Sequence, residues 1–184
     1  GTGKTSVARI LARELGVTAN DLYEIDAASN TGVDNIRELR EAVQVMPLES
    51  PYKFYIVDEA HMLSKAAWNA LLKTLEEPPA HVVFVLATTE QDKVPETIRS
   101  RCEVYTFKQP PREVLAQIVS AVAKKEGYKL ERSAAELLAL LADGSFRDAL
   151  SILQKVLAVS KNKEIEVEEV EAVSGAPRGE IVRQ

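Results

Sequence analysis

The chain opens on Gly1-Thr2-Gly3-Lys4-Thr5-Ser6, a run whose residue types suit a bound phosphate. Gly3 lets the backbone approach an anion closely, and successive N–H groups leading into a helix point at it. Lys4 would set a cation on the outer phosphates, and the Thr5 hydroxyl would ligate Mg²⁺. The run fits the second half of the pattern G-x-x-x-x-G-K-[ST], whose first glycine would lie before residue 1. We therefore expect a piece of a longer chain, without the strand that leads into such a loop. Half a motif is balanced by a plain glycine-rich turn ahead of an ordinary helix, and the rest of the sequence decides between them.

Asp58-Glu59 supplies the second half of that chemistry. The pair follows Phe54-Tyr55-Ile56-Val57, a buried-type strand, so its carboxylates fall at the carboxyl edge of a sheet, where open α/β sheets bind ligands. Asp58 would hold Mg²⁺, directly or through water, and Glu59 would orient and activate a water for γ-phosphate cleavage. Two acids that merely cap a strand beside solvent are the plainer alternative. Ala87-Thr88-Thr89 ends the next strong strand, where a hydroxyl could bond the γ-phosphate or the attacking water. Farther on, Ile98-Arg99-Ser100-Arg101-Cys102 places arginines at the rim of the sheet, from which an arginine can reach a neighbouring subunit's γ-phosphate. Gly144-Ser145-Phe146-Arg147 opens a helix, with Ser145 as cap and Arg147 near its positive end, a setting that favours an anion. A surface arginine is the plain reading of each. Cys102 reads as a small packed apolar residue rather than a nucleophile.

These groups need a scaffold of alternating elements. Val7, Ile10, Leu11 and Leu15 recur at helical spacing after Lys4. A short strand is expected over residues 22–25, a helix over 33–45, the strand 54–57, and a helix from an N-cap at Ser64 to about Glu76 with Trp68, Leu71, Leu72 and Leu75 as its stripe. Strands are expected at 82–87 and 104–107. Alternation of this kind implies a parallel sheet covered on both faces. Lys108-Gln109-Pro110-Pro111 marks a hinge, beyond which the pattern is only helical, near 112–125, 133–142, 147–159 and 167–173. The expected organisation is an α/β nucleotide-binding domain over 1–108, a helical lid domain over 109–175, and a frayed or cut boundary over 176–184.

The 184 residues carry 23 Lys and Arg against 28 Asp and Glu, a net charge of −5. A protein that coats nucleic acid nonspecifically is usually basic, so any contact with DNA would be a local patch on phosphates. Lys65, Lys73 and Arg99 are candidates, although lysines on a helix usually make only a solvated face. One cysteine and two histidines exclude a disulfide framework and a cysteine zinc site. The apolar runs are too short for a membrane span, and no targeting segment is visible, so no membrane partner and a cytoplasmic location are expected.

The strings GTGKTS, EIDAASN, YIVDEAHMLS, NALLKTLEEPP, FVLATTE, IRSRCEVYTF and GSFRDALS occur in this order. Together they resemble the ATPase core of the bacterial DNA polymerase III gamma/tau clamp-loader subunits, of the AAA+ P-loop superfamily, over most of the chain to about residue 175. The P-loop half is superfamily-wide; NALLKTLEEPP, Ser100-Arg101-Cys102 and GSFRDAL are more specific. The resemblance implies ATP and Mg²⁺ as cofactors, with Gly1, Thr2, Gly3, Lys4, Thr5 and Ser6 in the phosphate loop and Thr5 and Asp58 on the metal. It implies Glu59 as the catalytic carboxylate and Thr88 or Thr89, with Thr89 preferred, as the phosphate-sensing residue. Arg101 would act on the adjacent subunit's ATP, and Arg147 would sense nucleotide from the lid. It further implies a hetero-oligomeric ring with other clamp-loader subunits, a sliding clamp and primed DNA as partners, and a sheet whose first strand is missing from this fragment.

One departure concerns zinc. Many gamma/tau subunits carry a four-cysteine module where this chain has Leu15-Gly16-Val17-Thr18-Ala19-Asn20-Asp21. Either the lineage lost it or the source sequence lacks it, and no zinc site is expected. Two other functions compete with an ATP-driven clamp-loading motor. One is a structural clamp-loader subunit that offers Arg101 but does not turn over ATP. The other is a different AAA+ DNA-remodelling motor.

Overall fold

A computed structural model describes residues 1–29, 33–160 and 162–175. The expected boundary segment 176–184 lies outside them. The described residues divide into two compact units, one over Lys4–Thr106 and the other over Gly1–Gly3 with those from Phe107 onward.

The first unit is a three-stranded parallel sheet of order β1-β2-β3, with β1 at Leu22–Asp26, β2 at Lys53–Asp58 and β3 at Val82–Leu86. Helix α1 (Lys4–Glu14) precedes β1, α2 (Val33–Gln44) joins β1 to β2, and α3 (Lys65–Glu76) joins β2 to β3. A single turn of helix, α4 (Glu96–Arg99), follows β3. Strand β2 is apolar from Phe54 to Val57, as a strand covered on both faces is. Its side chains divide by the two-residue period of a strand. Tyr55 and Val57 pack with Tyr23, Ile25, Phe84 and Leu86 against Ile36, Leu39 and Val43 of α2 and Trp68 and Leu71 of α3. Phe54 and Ile56 pack with Leu22, Val83 and Val85 against Ala8 and Ala12 of α1.

Helix α1 forms over the segment whose apolar residues recur at helical spacing, but its buried positions are others. Val7, Ile10 and Leu11 are exposed, and the buried positions are Ala8 and Ala12. Small side chains let the helix axis come close to the sheet, so the alanines rather than the large residues make the contact. Ser64 caps α3 as expected, accepting the Ala67 N–H at 3.1 Å. The strand expected at 104–107 does not form; Val104 and Tyr105 are exposed, and no ladder includes them among the described residues. β-branched and aromatic residues suit a strand, but a strand exists only where a neighbour accepts its hydrogen bonds.

Asp21 closes the loop ahead of β2. It is buried and accepts the N–H groups of Leu48, Glu49 and Ser50 at 2.7, 2.9 and 2.8 Å. Burial alone would raise its carboxyl, but these donors outweigh it and hold the group at about 2. Buried Lys53 donates to the Ala42 carbonyl at 2.8 Å and so caps the end of α2.

The second unit is built from α5 (Arg112–Lys125), α6 (Arg132–Leu141), α7 (Phe146–Val159) and α8 (Val167–Ser174). Leu115, Val119, Leu138, Leu153, Val156 and Val170 form its core. The purely helical expectation misses one element: β4 (Lys129–Leu130) pairs in parallel with β5 (Glu164–Ile165). Two residues per strand leave no periodicity to read.

Candidate nucleotide site at the end of strand β2

The period of β2 predicts one contact directly. Asp58 has the same parity as Phe54 and Ile56, so it faces the side of the sheet packed by α1. Thr5 lies in the first turn of α1, and its hydroxyl donates to Asp58 Oδ2 at 2.8 Å. In the register of the sheet Asp26 stands beside Asp58, and its carboxylate accepts from the Ala28 N–H and the Ser29 hydroxyl, each at 2.9 Å.

The chain then leaves the strand abruptly. Glu59 has φ 47° and ψ 43°, a left-handed conformation that a side chain with a Cβ adopts rarely. A backbone held there at a strand end stores strain of about 1–3 kcal/mol and persists only where its surroundings fix it. They do so here: Glu59 N–H donates to Asp58 Oδ1 at 3.0 Å, and Ala60 N–H donates to the Ala87 carbonyl at 2.9 Å. The second bond ties the turn after β2 to the end of β3 and so brings Thr88 and Thr89 to it.

The two threonines have different partners. Thr89 Oγ1 donates to Glu59 Oε2 at 2.9 Å. Thr88 Oγ1 accepts the Glu90 N–H at 3.0 Å and lies 3.0 Å from His61 Nδ1. His61, in the short turn Ala60–Met62, has a side chain only 7 % exposed. Its Nδ1 is 3.4 Å from Glu59 Oε2 and its Nε2 is 3.3 Å from Glu90 Oε1. Glu90 also pairs with Lys93 at 2.7 Å, and that hydrogen bond holds its carboxyl below the usual range.

Thr5, Asp58, Glu59 and Thr89 thus meet in one corner of the first unit. Arg101 is not part of it. Its guanidinium pairs with Glu76 at 2.7 Å and donates to the Thr97 carbonyl. Cys102 packs against the core, and burial pushes its thiol up. Lys4 opens α1, and Ser6 is exposed on it. Gly3 has φ 92°, a backbone that a side chain would strain. In the other unit Ser145 caps α7 by accepting the Asp148 N–H at 3.2 Å, and the Phe146 N–H donates to the Gly1 carbonyl at 3.0 Å. The Arg147 side chain lies against Gly1, where an added Cβ would stand 3.5 Å from Arg147 Cβ.

The donor set fits a nucleotide with its Mg²⁺. A hydroxyl and a carboxylate oxygen already in contact are the hard oxygen ligands that magnesium takes together with phosphate. Thr2 Oγ1 is buried with no hydrogen-bond partner among the described residues, a donor left over beside Gly3. His61 is the member of this corner that the sequence reading did not single out. Its signal was present, three residues after Asp58, but a lone histidine carries no spacing that distinguishes a site from a core position.

Comparison with known proteins agrees with the fold. The family described as "DNA polymerase III, delta subunit" matches residues 3–111, and "DNA polymerase III clamp loader subunit, ATPase lid domain" matches 114–162. The DNA polymerase III subunit tau of Bacillus subtilis is 42% identical over 96% of this chain and 35% of its own length. The subunit gamma of Buchnera aphidicola subsp. Schizaphis graminum is 40% identical over 88% of this chain and 50% of its own. The chain therefore spans between about a third and a half of these two relatives. A structure of the Thermotoga maritima RuvB Holliday junction branch migration motor superposes with a TM-score of 0.72, at 22% identity, over 94% of this chain and 57% of that one, a likeness of fold. With family matches that between them run from the phosphate loop into the lid, and relatives at this identity, the chain belongs to the clamp-loader subunits of DNA polymerase III, on an AAA+ α/β fold.

Proposed function

We propose that this chain is the motor portion of a gamma/tau-type subunit, which binds and hydrolyses ATP to open a sliding clamp and load it on primed DNA. The observation that carries the reading is the corner where Thr5 meets Asp58 and Glu59 meets Thr89. A scaffold that binds no nucleotide would need none of it.

In this reading Gly1, Thr2, Gly3, Lys4 and Ser6 cradle the phosphates, and Thr5 and Asp58 hold Mg²⁺. The ion would neutralise charge on the phosphate oxygens. Glu59 accepts the proton of the attacking water, and Thr89 donates to the terminal phosphate. Arg101 serves the ATP of the adjacent subunit, and Arg147 links the lid to nucleotide. Residues 1–108 form the nucleotide-binding domain and 109–175 the lid. The partners are other clamp-loader subunits in a ring, the clamp, and DNA through phosphate contacts, in the cytoplasm. Among the described residues no helix is long and apolar enough to cross a membrane.

The test is the ATPase rate of the full-length protein assembled with its partner subunits, with and without clamp and primed DNA. Stimulation by both together, lost in Arg101→Ala, is expected. A rate indifferent to clamp and DNA overturns the clamp-loading role.

A further inference from the structure

Glu59 is approached from two sides: Thr89 donates to its Oε2, and His61 Nδ1, hydrogen-bonded to Thr88 Oγ1, stands 3.4 Å from the same oxygen. Thr89 has one hydroxyl proton, and it is donated to Glu59 Oε2. If that proton turns to a phosphate oxygen, Glu59 loses its donor. His61 has no such conflict, because its ring is 7 % exposed and its neighbours are protein groups: Thr88 and Glu59 at Nδ1, Glu90 at Nε2. Glu90 is anchored in turn by Lys93. Both contacts with Glu59 fall on Oε2, which leaves Oε1 as the edge available to a water.

We propose that His61 is a positioning residue for Glu59, fixing the carboxylate by its Oε2 edge while Thr89 is engaged elsewhere. The inference rests on Glu59 being the base assigned above. A histidine kept only for packing would sit among apolar side chains or satisfy backbone groups. His61 instead bridges two carboxylates and a hydroxyl, from a turn whose first residue is in a left-handed conformation. With the backbone of Glu59 already fixed, the side-chain torsions are the freedom left to restrain, and the ring 3.4 Å from Oε2 is placed to restrain them.

The experiment uses the full-length protein in its assembly and reads kcat, KM for ATP and thermal midpoint for His61→Ala, His61→Asn, Glu59→Gln and the double variant His61→Ala/Glu59→Gln. His61→Ala is expected to lower kcat by about 10- to 100-fold, the scale of a misplaced catalytic group, with KM for ATP nearly unchanged. Asn carries an N–H close to the Nδ1 position and is expected to recover much of the loss. In the Glu59→Gln background, His61→Ala is expected to cost nothing more. Wild-type kcat in His61→Ala overturns the proposal, as does an equal loss in both backgrounds. A fall in thermal midpoint that His61→Asn repairs without restoring kcat also overturns it. Glu59→Gln with undiminished hydrolysis would instead remove the assignment of Glu59 itself.

Discussion

Tyr55→Phe is expected to stabilise the protein. Tyr55 sits in the middle of the sheet, 1 % exposed, with its ring stacked between its register partners Tyr23 and Phe84 at centroid distances of 4.8 and 5.3 Å. The hydroxyl has no hydrogen-bond partner among the described residues. A buried hydroxyl without a partner costs about 1–3 kcal/mol in lost hydration. Removing it while keeping the ring leaves the stack intact, so a gain of about 1 kcal/mol is expected, the low end because the site can relax. For a chain of this size that is a rise of about 2–4 °C in thermal midpoint. A second readout is independent of packing. Burial, reinforced by the nearby charges of Tyr23 and Asp21, pushes the phenol up from 10.0 to about 12. Above pH 10 the unfolded phenol loses its proton while the native one keeps it, so stability falls as pH rises from 10 towards 12. The difference between wild type and Tyr55→Phe should therefore widen across that window, in favour of Phe. A lower midpoint for Tyr55→Phe, or a difference flat from pH 9 to about 12, would refute the reasoning and mean that the hydroxyl is paired.

Asp21→Asn should act at the other end of the pH scale. The native carboxyl lies at about 2 against an ordinary 3.8, so its contribution is complete above the ordinary value and is lost as pH falls towards 2. Denaturant titrations from pH 5 downward should show that loss in wild type and not in the variant, whose amides at 48–50 should also exchange faster. Ser64→Ala removes the bond to Ala67 N–H and is expected to cost about 1 kcal/mol, read as a lower thermal midpoint, with Ser64→Asp close to wild type.

The alternation of strands and helices was legible because each long element repeats its apolar residues at its own period. The faces were less so. In α1 the large apolar residues at helical spacing include Val7, Ile10 and Leu11, which are exposed, whereas contact with the sheet runs through Ala8 and Ala12. Hydropathy ranks a valine above an alanine, but a helix that crosses a sheet closely needs small residues at the crossing. Residues 104–107 failed for the opposite reason. Their pattern suits a strand, and pairing is decided by a neighbour that no local window contains. The pairing of β4 with β5 joins residues 35 positions apart and was invisible for the same reason.

The site divides along the same line. Thr5 with Asp58 follows from a strand period and a helix start, both local, so the sequence carries it in two short strings. Glu59 breaks the strand period by turning left-handed, and from that residue on parity predicts nothing. The groups around its carboxylate come from the end of β3 and from the turn at 60–62, tied together in part by the bond from Ala60 N–H to the Ala87 carbonyl. Thr89 could be guessed because it ends a strand beside the Asp58-Glu59 strand. His61 could not, because its significance is that both ring nitrogens face carboxylates from different segments. If Glu59 is the base proposed above and Thr89 is drawn to the nucleotide, the carboxylate needs a holder outside the nucleotide's reach. On that proposal the residue so placed is His61, a buried side chain of the turn that follows Glu59 itself.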